Sequence, residues 1–182
     1  RMNDASGIEA TLIEGGKPLT PAELLARLES LNIVHTTFEH EPVFTVEESK
    51  RMRGNLDGAH VKNLFLRNKK GVMWLVTCLE DRPVDLKWLA ETLGAGRFSF
   101  ASPGRLMKYL GVIPGAVTTF AAINDTTASV QVALDRALLD AEQINLHPLT
   151  NAMTTTIASA DLLRFLEAIG HPPRLIRFEP RR

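Results

Sequence analysis

The sequence predicts a mixed α/β fold of the α+β kind, with about six to seven strands in one mixed, curled or closed, barrel-like sheet flanked by helices. Three observations lead there. The chain has 182 residues, 45% of them hydrophobic and 23% charged, which is enough for one substantial core and too little for two comfortable ones. Helical and alternating stretches interleave without the regular strand-helix-strand rhythm of a doubly wound parallel sheet. Two apolar strands are joined through Asn68-Lys69-Lys70-Gly71, a turn that makes them an antiparallel hairpin.

Residues 1–19 carry Gly15-Gly16 and little periodicity, so they are expected to form a mobile N-terminal arm ahead of one domain over 20–182. Thr20-Pro21-Ala22-Glu23 is a capping box with proline at the first helical position, and Leu24, Leu25, Leu28 and Leu31 follow at helical spacing. Val34 to Glu39 is expected as a strand and Val46 to Arg53 as a short helix. The hairpin strands run from Asn63 to Arg67 and from Val72 to Leu79. Asp85 to Leu93 sets Leu86, Leu89, Ala90 and Leu93 on one helical face, and Ser102 to Leu110 forms another helix closed by Gly111. Further strands are expected at Ala116 to Ala122, Ser129 to Leu134, Thr154 to Ala158 and Leu175 to Phe178. A last helix starts at Ser159 or Ala160 and stops before Gly170-His171-Pro172-Pro173.

Composition removes several classes of function. Lysine plus arginine equals aspartate plus glutamate at 21 each, which excludes coating of nucleic acid or membrane by bulk charge and leaves room for a few local cations. No segment approaches a membrane span, so a soluble cytoplasmic protein with no membrane partner is expected. Cys78 is the only cysteine and sits in an apolar run, as a buried core thiol does. Neither a GxSxG elbow, an HExxH helix nor a GxxxxGK[ST] loop is present, and the five histidines are not at metal-ligand spacing. No metal and no cofactor are expected. The chemistry left over relies on positioning and electrostatics more than on a strong nucleophile.

Three segments could carry it. In Gly58-Ala59-His60-Val61-Lys62-Asn63-Leu64-Phe65-Leu66-Arg67 a lysine opens an apolar strand after a glycine-containing loop. Alternation puts Lys62, Leu64 and Leu66 on one face and Asn63, Phe65 and Arg67 on the other, with the ammonium over the mouth of an apolar surface. By itself this is first of all a lysine stem snorkelling at a strand end. In Leu110-Gly111-Val112-Ile113-Pro114-Gly115-Ala116-Val117-Thr118, proline before glycine favours a type II turn whose backbone amides can face an anion or oxyanion; a plain helix-to-strand connection reads the same way. Leu146-His147-Pro148-Leu149-Thr150-Asn151 is a polar loop whose histidine and asparagine can bind polar groups, or can be satisfied structurally.

In combination, GAHVKNLFLRNKKG, LGVIPGAVT, INDTTASVQVALD and LHPLTNAMTT resemble the YbaK-like family, which includes the editing domain inserted in bacterial prolyl-tRNA synthetases. The similarity runs from about Leu24 to Phe178 and is closest to free-standing members that hydrolyse Ala-tRNA(Pro). It implies a β-barrel-like core ringed by helices and an aminoacyl-tRNA deacylase that acts on the ester by water attack. Its partners would be the acceptor stem and 3′ end of a mischarged tRNA, with prolyl-tRNA synthetase as a second partner. By the same resemblance Lys62 would be the key lysine, beside the terminal nucleotide, and Gly115, Ala116 and Val117 would set backbone amides and a small wall at the acyl group. Gly111 and Pro114 would shape that turn. Phe44, Leu146 and His147 would line the amino-acid pocket, Asn63 and Asn151 would organise polar contacts, and Arg67 and Arg97 would hold the tRNA.

Some positions depart from the family pattern. Relatives commonly carry glycine where this chain has Ala121, and Asn55-Leu56-Asp57-Gly58 replaces a proline- and glycine-rich approach to the lysine strand. A methyl group can decide what a small pocket admits, so cysteine, serine, threonine or 2-aminobutyrate stay open as acyl groups. A non-catalytic module that binds tRNA, DNA or a synthetase is the alternative from a different class.

Overall fold

The computed structural model describes residues 10–53 and 56–178. The first nine residues of the expected arm and the last four of the expected domain therefore lie outside the described residues. Residues 10–19 pack on the rest of the chain: the Ile13 N–H donates to the Lys108 carbonyl at 2.8 Å, and the Leu19 N–H donates to Asn124 Oδ1 at 3.0 Å.

Helix α1 spans Pro21–Ser30 and begins as its capping box dictates, with the Thr20 hydroxyl accepting from the Glu23 N–H and the Glu23 carboxylate accepting from the Thr20 N–H. Strand β1 (His35–Glu39), helix α2 (Val46–Arg53), strands β2 (Ala59–Arg67) and β3 (Met73–Leu79), helix α3 (Leu86–Leu93) and strand β4 (Ser99–Phe100) follow. Helix α4 (Pro103–Leu110) leads through a 3-10 helix at Thr119–Asn124 into β5 (Val130–Asp135). A second 3-10 helix at Arg136–Asp140, strands β6 (Gln143–Leu146) and β7 (Met153–Ala158), helix α5 (Ser159–Ala168) and strand β8 (Arg174–Ile176) complete the fold.

Among the described residues the strands form one mixed eight-stranded sheet in the order β1-β7-β6-β2-β3-β5-β8, with β4 paired to β2 off this path. It is therefore open, with β1 and β8 at its ends, and has more strands than the sequence predicts. Alternation along the hairpin sorts the core. Leu66, Trp74 and Val76 pack with Leu89, Ala90 and Leu93 of α3, whereas Phe65, Met73 and Leu75 pack on the other face with Leu106 and Leu110 of α4. Leu24 and Leu28 of α1 meet Leu162, Phe165 and Leu166 of α5 in a third cluster that also takes Ile144 of β6 and Ile157 of β7.

Three expectations are corrected, and two strands were not expected at all. Ala116 to Ala122 is not a strand: its second half belongs to the 3-10 helix, where Thr119, Phe120, Ala121 and Ala122 are all buried. A run apolar on every side carries no period, so strand and buried helix look alike in sequence. Lys62 does not open its strand, because β2 starts at Ala59 and Lys62 lies opposite Cys78 within it. Strand β8 occupies Arg174–Ile176 instead of Leu175 to Phe178. The strands β4 and β6 are unforeseen, being too short at two and four residues to show alternation.

The edges of β2 position the site. One edge pairs with β3 from Val61 to Arg67. The other pairs with β6 only at Ala59 and His60, and with β4 only at Leu66 and Arg67. In between, that edge has no strand partner among the described residues, and the sheet opens into a notch.

A buried pair ties the C-terminal loop to the sheet. Asp125 accepts from the Val130 N–H at 2.7 Å, the Ser129 N–H at 3.1 Å and His171 Nε2 at 2.9 Å. Burial pushes the Asp125 carboxyl up, but the hydrogen bonds from His171, Val130 and Ser129 outweigh it and hold the pKa below the ordinary 3.8. A carboxyl whose pKa is lower folded than unfolded stabilises fully above the unfolded value and loses that contribution as pH falls through the folded one. Asp125→Asn is expected to lower the unfolding free energy by about 3 kcal/mol at neutral pH. In urea titrations the gap between parent and variant should narrow below pH 3.8; a gap of constant size there would contradict the assignment.

Candidate active site in the notch beside β2

The notch holds a cavity of about 250 Å³ walled by Lys62 and Asn63 of β2, Glu80 beyond β3, Gly115 and Val117 of the proline-glycine turn, and His147 beyond β6. Phe44, Ser49 and Val61 also line it, so the loop before α2 and the helix itself form its roof. Lys50 of α2 pairs with Asp81 next to Glu80, an exposed contact between the helix and the loop after β3.

Lys62 is anchored from behind. Its Nζ donates to the Arg82 carbonyl. The Arg82 guanidinium donates from Nε to Asp135 Oδ2 at 2.6 Å and lies 5.0 Å above the Phe178 ring centre. Asp135 is 1% exposed and also accepts the Ala137 N–H at 3.0 Å, so the carboxylate is satisfied and the loop holding Lys62 is rigid. Cys78, opposite Lys62, is fully buried; burial pushes its thiol up to about 11 although the Lys62 ammonium pulls the other way. It is no nucleophile at neutral pH.

The turn has the geometry its sequence predicts. Gly115 sits at φ +88°, and the Ala116 N–H closes the turn on the Ile113 carbonyl at 3.0 Å. That bond consumes one of the expected amide donors, and the Ala116 methyl points into the core, 1% exposed. The Ala116 N–H and methyl thus both serve the turn's foundation, and Gly115 and Val117 are the turn residues that line the notch. The N–H groups of Gly115 and Val117 have no hydrogen-bond partner among the described residues. A Cβ on Gly115 would lie 3.0 Å from Phe44 Cδ1 and 3.5 Å from Asn151 Nδ2, so the missing side chain is what lets Phe44 close over the turn.

Asn63 has its Oδ1 facing inward, where the Thr77 hydroxyl donates at 2.6 Å and the Thr119 hydroxyl lies at 3.3 Å. His147 Nδ1 lies 2.8 Å from the Met153 carbonyl, which must be accepting, so Nδ1 carries the proton and Nε2 keeps a free lone pair. Burial drives the His147 pKa below 6.5, the Met153 bond opposes it, and nearby His40 adds to it. The ring is neutral at pH 7.

Other expected residues lie away from the cavity. Asn151 is buried and donates from Nδ2 to the Val43 carbonyl at 3.0 Å, so it braces the roof loop. Leu146 is 2% exposed in the core and borders a smaller recess with Asn63 and His147. Gly111 closes α4 and lies under the arm, where a Cβ would come within 2.7 Å of Pro18 Cβ, and neither it nor Pro114 lines the notch. Arg67 and Arg97 come together with Lys69 in a separate groove at the far end of β2, ~17 Å along the strand from Lys62. Ala121 is fully buried with the α4 cluster, so its methyl does not narrow the cavity. Sequence reasoning missed Thr77, Thr119 and Arg82, whose roles depend on contacts between distant segments. A cavity of about 260 Å³ also lies beside the arm, between Ile13, Lys17, Lys108 and Tyr109. Among the described residues no group of three or more His, Cys, Asp or Glu could hold a metal, and no helix is long and apolar enough to cross a membrane.

The described residues thus form an open mixed sheet with a polar notch lined by an anchored ammonium and by backbone N–H groups without a partner among those residues. The family model described as an aminoacyl-tRNA editing domain matches residues 40–165, and the chain belongs to that family. Prolyl-tRNA synthetase associated domain-containing protein 1 of Danio rerio is 40% identical over 184 residues, covering 98% of this chain and 100% of the relative. Prolyl-tRNA editing protein ProX of Acetoanaerobium sticklandii is 39% identical over 149 residues, covering 81% of this chain and 91% of the relative. A crystal structure described as a candidate trans-editing enzyme for prolyl tRNA synthetase superposes with a TM-score of 0.68 at 18% identity, over 90% of this chain and 99% of that one, and so shares the fold.

Proposed function

We propose that the chain is a trans-editing hydrolase that removes a wrongly attached amino acid, alanine foremost, from tRNA(Pro). The observation that carries this reading is the notch, where a fixed cation, free N–H donors and a neutral histidine line one small cavity. Membership of the editing family and the similarity to a protein named for prolyl-tRNA editing support it.

Alanine is smaller than proline, so a synthetase pocket shaped for proline cannot reject it by size, and the missing methylenes discriminate by only about 1–3 kcal/mol. A second, smaller site corrects the error. An aminoacyl ester is already reactive, and water suffices as nucleophile when the carbonyl is held and its developing charge stabilised. The Gly115 and Val117 N–H groups and the Asn63 amide would donate to the carbonyl oxygen as it becomes an oxyanion. Water adds to the carbonyl carbon with loss of a proton, the tetrahedral species collapses, and the ester C–O bond breaks. The ribose oxygen leaves, takes a proton, and the free amino acid departs. The adenosine's own neighbouring hydroxyl, as the family resemblance implies, would assist the water.

Charge assigns the remaining roles. The substrate's α-ammonium is repelled by Lys62, so Lys62 takes a phosphate or other electron-rich oxygen of the terminal nucleotide. Glu80 and neutral His147, whose Nε2 keeps its lone pair, both line the cavity, and His147 is the acceptor assigned here to the ammonium. Arg67, Arg97 and Lys69 lie where an acceptor stem leaving the notch along β2 would present its backbone.

Lys62→Ala is expected to lose Ala-tRNA(Pro) deacylation by roughly 100-fold or more in kcat/KM, measured beside cysteinyl, seryl and prolyl esters; parental rates in the variant would remove Lys62 from the mechanism. Tight tRNA binding with no hydrolysis of any ester would instead establish a binding module. The double Arg67→Ala, Arg97→Ala variant should bind tRNA more weakly and with a shallower salt dependence. A parental slope would take both arginines off the RNA. Protonated His147 would repel the ammonium, so kcat/KM should be level through neutral pH and fall as pH drops through a value below 6.5. His147→Gln should flatten that acid limb, and an unchanged limb would contradict the assignment.

A further inference from the structure

Two buried threonines stand directly behind the notch and have no part in the chemistry described so far. Thr77 belongs to β3, opposite Asn63, and Thr119 is the first residue of the 3-10 helix; both are fully buried. Their hydroxyls are 2.6 Å apart, the Thr77 hydroxyl donates to Asn63 Oδ1 at 2.6 Å, and the Thr119 hydroxyl is 3.3 Å from the same oxygen. A hydroxyl has one proton to give. With the Thr77 proton on Asn63, the short Thr77–Thr119 contact needs the Thr119 proton. Both hydroxyls are within reach of Asn63 Oδ1, and following the two 2.6 Å contacts gives a relay in which Thr119 donates to Thr77 and Thr77 donates to Asn63.

The consequence falls on the side-chain amide. Its oxygen is held from behind, so its NH₂ group is the end left for the cavity that Asn63 lines, and no described residue bonds it. Hydrogen bonds in series polarise one another, and an amide whose oxygen accepts a short bond becomes a better N–H donor. We infer that Thr119 and Thr77 are positioning residues that lock the Asn63 carboxamide with its NH₂ toward the substrate carbonyl. Thr119 sits in the stretch expected as a strand; it starts a 3-10 helix entered from an extended Thr118, and its hydroxyl meets Thr77 of β3. The inference rests on the editing reading for its catalytic consequence and stands without it for its geometry.

Two readouts separate the inference from that reading. In single-turnover deacylation of Ala-tRNA(Pro), Thr119→Val, which keeps shape and removes the hydroxyl, should lower kcat about tenfold with KM little changed. Thr119→Ser should restore it, and Thr77→Val should reproduce the loss. In an Asn63→Ala background Thr119→Val should have no further effect, since its action passes through Asn63. Independently of any substrate, the side-chain NH₂ resonances of Asn63, assigned by their disappearance in Asn63→Ala, should shift in Thr119→Val and return in Thr119→Ser. Unmoved resonances, or a kcat loss of equal size with and without Asn63, would overturn the inference. Should the parent protein hydrolyse no ester, the editing reading fails, and the resonances alone decide the positioning role.

Discussion

The fold turns on strand β2 having two different edges. One is fully paired with β3 and fixes the strand in the centre of the sheet, and the other meets β6 at its start and β4 at its end. Backbone groups left without a strand partner inside a sheet are costly unless water, side chains or a ligand take them. Here they face a cavity walled by the proline-glycine turn, the roof loop and His147. The site is thus a gap in the sheet's own pairing, with Lys62 and Asn63 held from the far side.

The support around the gap is mostly electrostatic and mostly buried. Lys62 reaches the Arg82 carbonyl, Arg82 is held by Asp135, and Asp135 in turn caps the second 3-10 helix through the Ala137 N–H. Asn63 is held by Thr77, and Asn151 by contrast faces away and secures the roof loop at Val43. Lys62, Asn63 and His147 each meet the cavity with another polar contact already made, which is what pre-organisation requires. Apolar packing supplies the frame: α3 and α4 cover opposite faces of the hairpin, and Phe120 meets Phe165 of α5 edge-on at 5.3 Å in the third cluster.

Much of this was legible in the sequence. The capping box at Thr20, the hairpin at Asn68 to Gly71 and the type II turn at Pro114-Gly115 follow from local chemistry, and local chemistry is what a single sequence records. Elements defined by distant partners were not. Strand β6 exists because β2 and β7 flank it, and Thr119 has a meaning only against Thr77, 42 positions earlier. The same limit explains the site. Lys62, Asn63, Phe44, Gly115, Val117 and His147 converge as one lining, whereas Ala116 and Asn151 turn out to spend their polar groups on the scaffold. Which amides a turn leaves free depends on the turn's own hydrogen bond, and which way an asparagine faces depends on its neighbours in space.

The most direct test of the central claim is a crystal structure with a non-hydrolysable mimic of the tRNA end, adenosine carrying alanine through an amide at its 3′ position. The alanyl group should lie in the notch, its carbonyl oxygen near the Gly115 and Val117 N–H groups and Asn63 Nδ2, with its ammonium toward His147 and the adenosine side toward Lys62. Binding in the arm cavity or in the groove between Arg67 and Arg97, with the notch left empty, would contradict it.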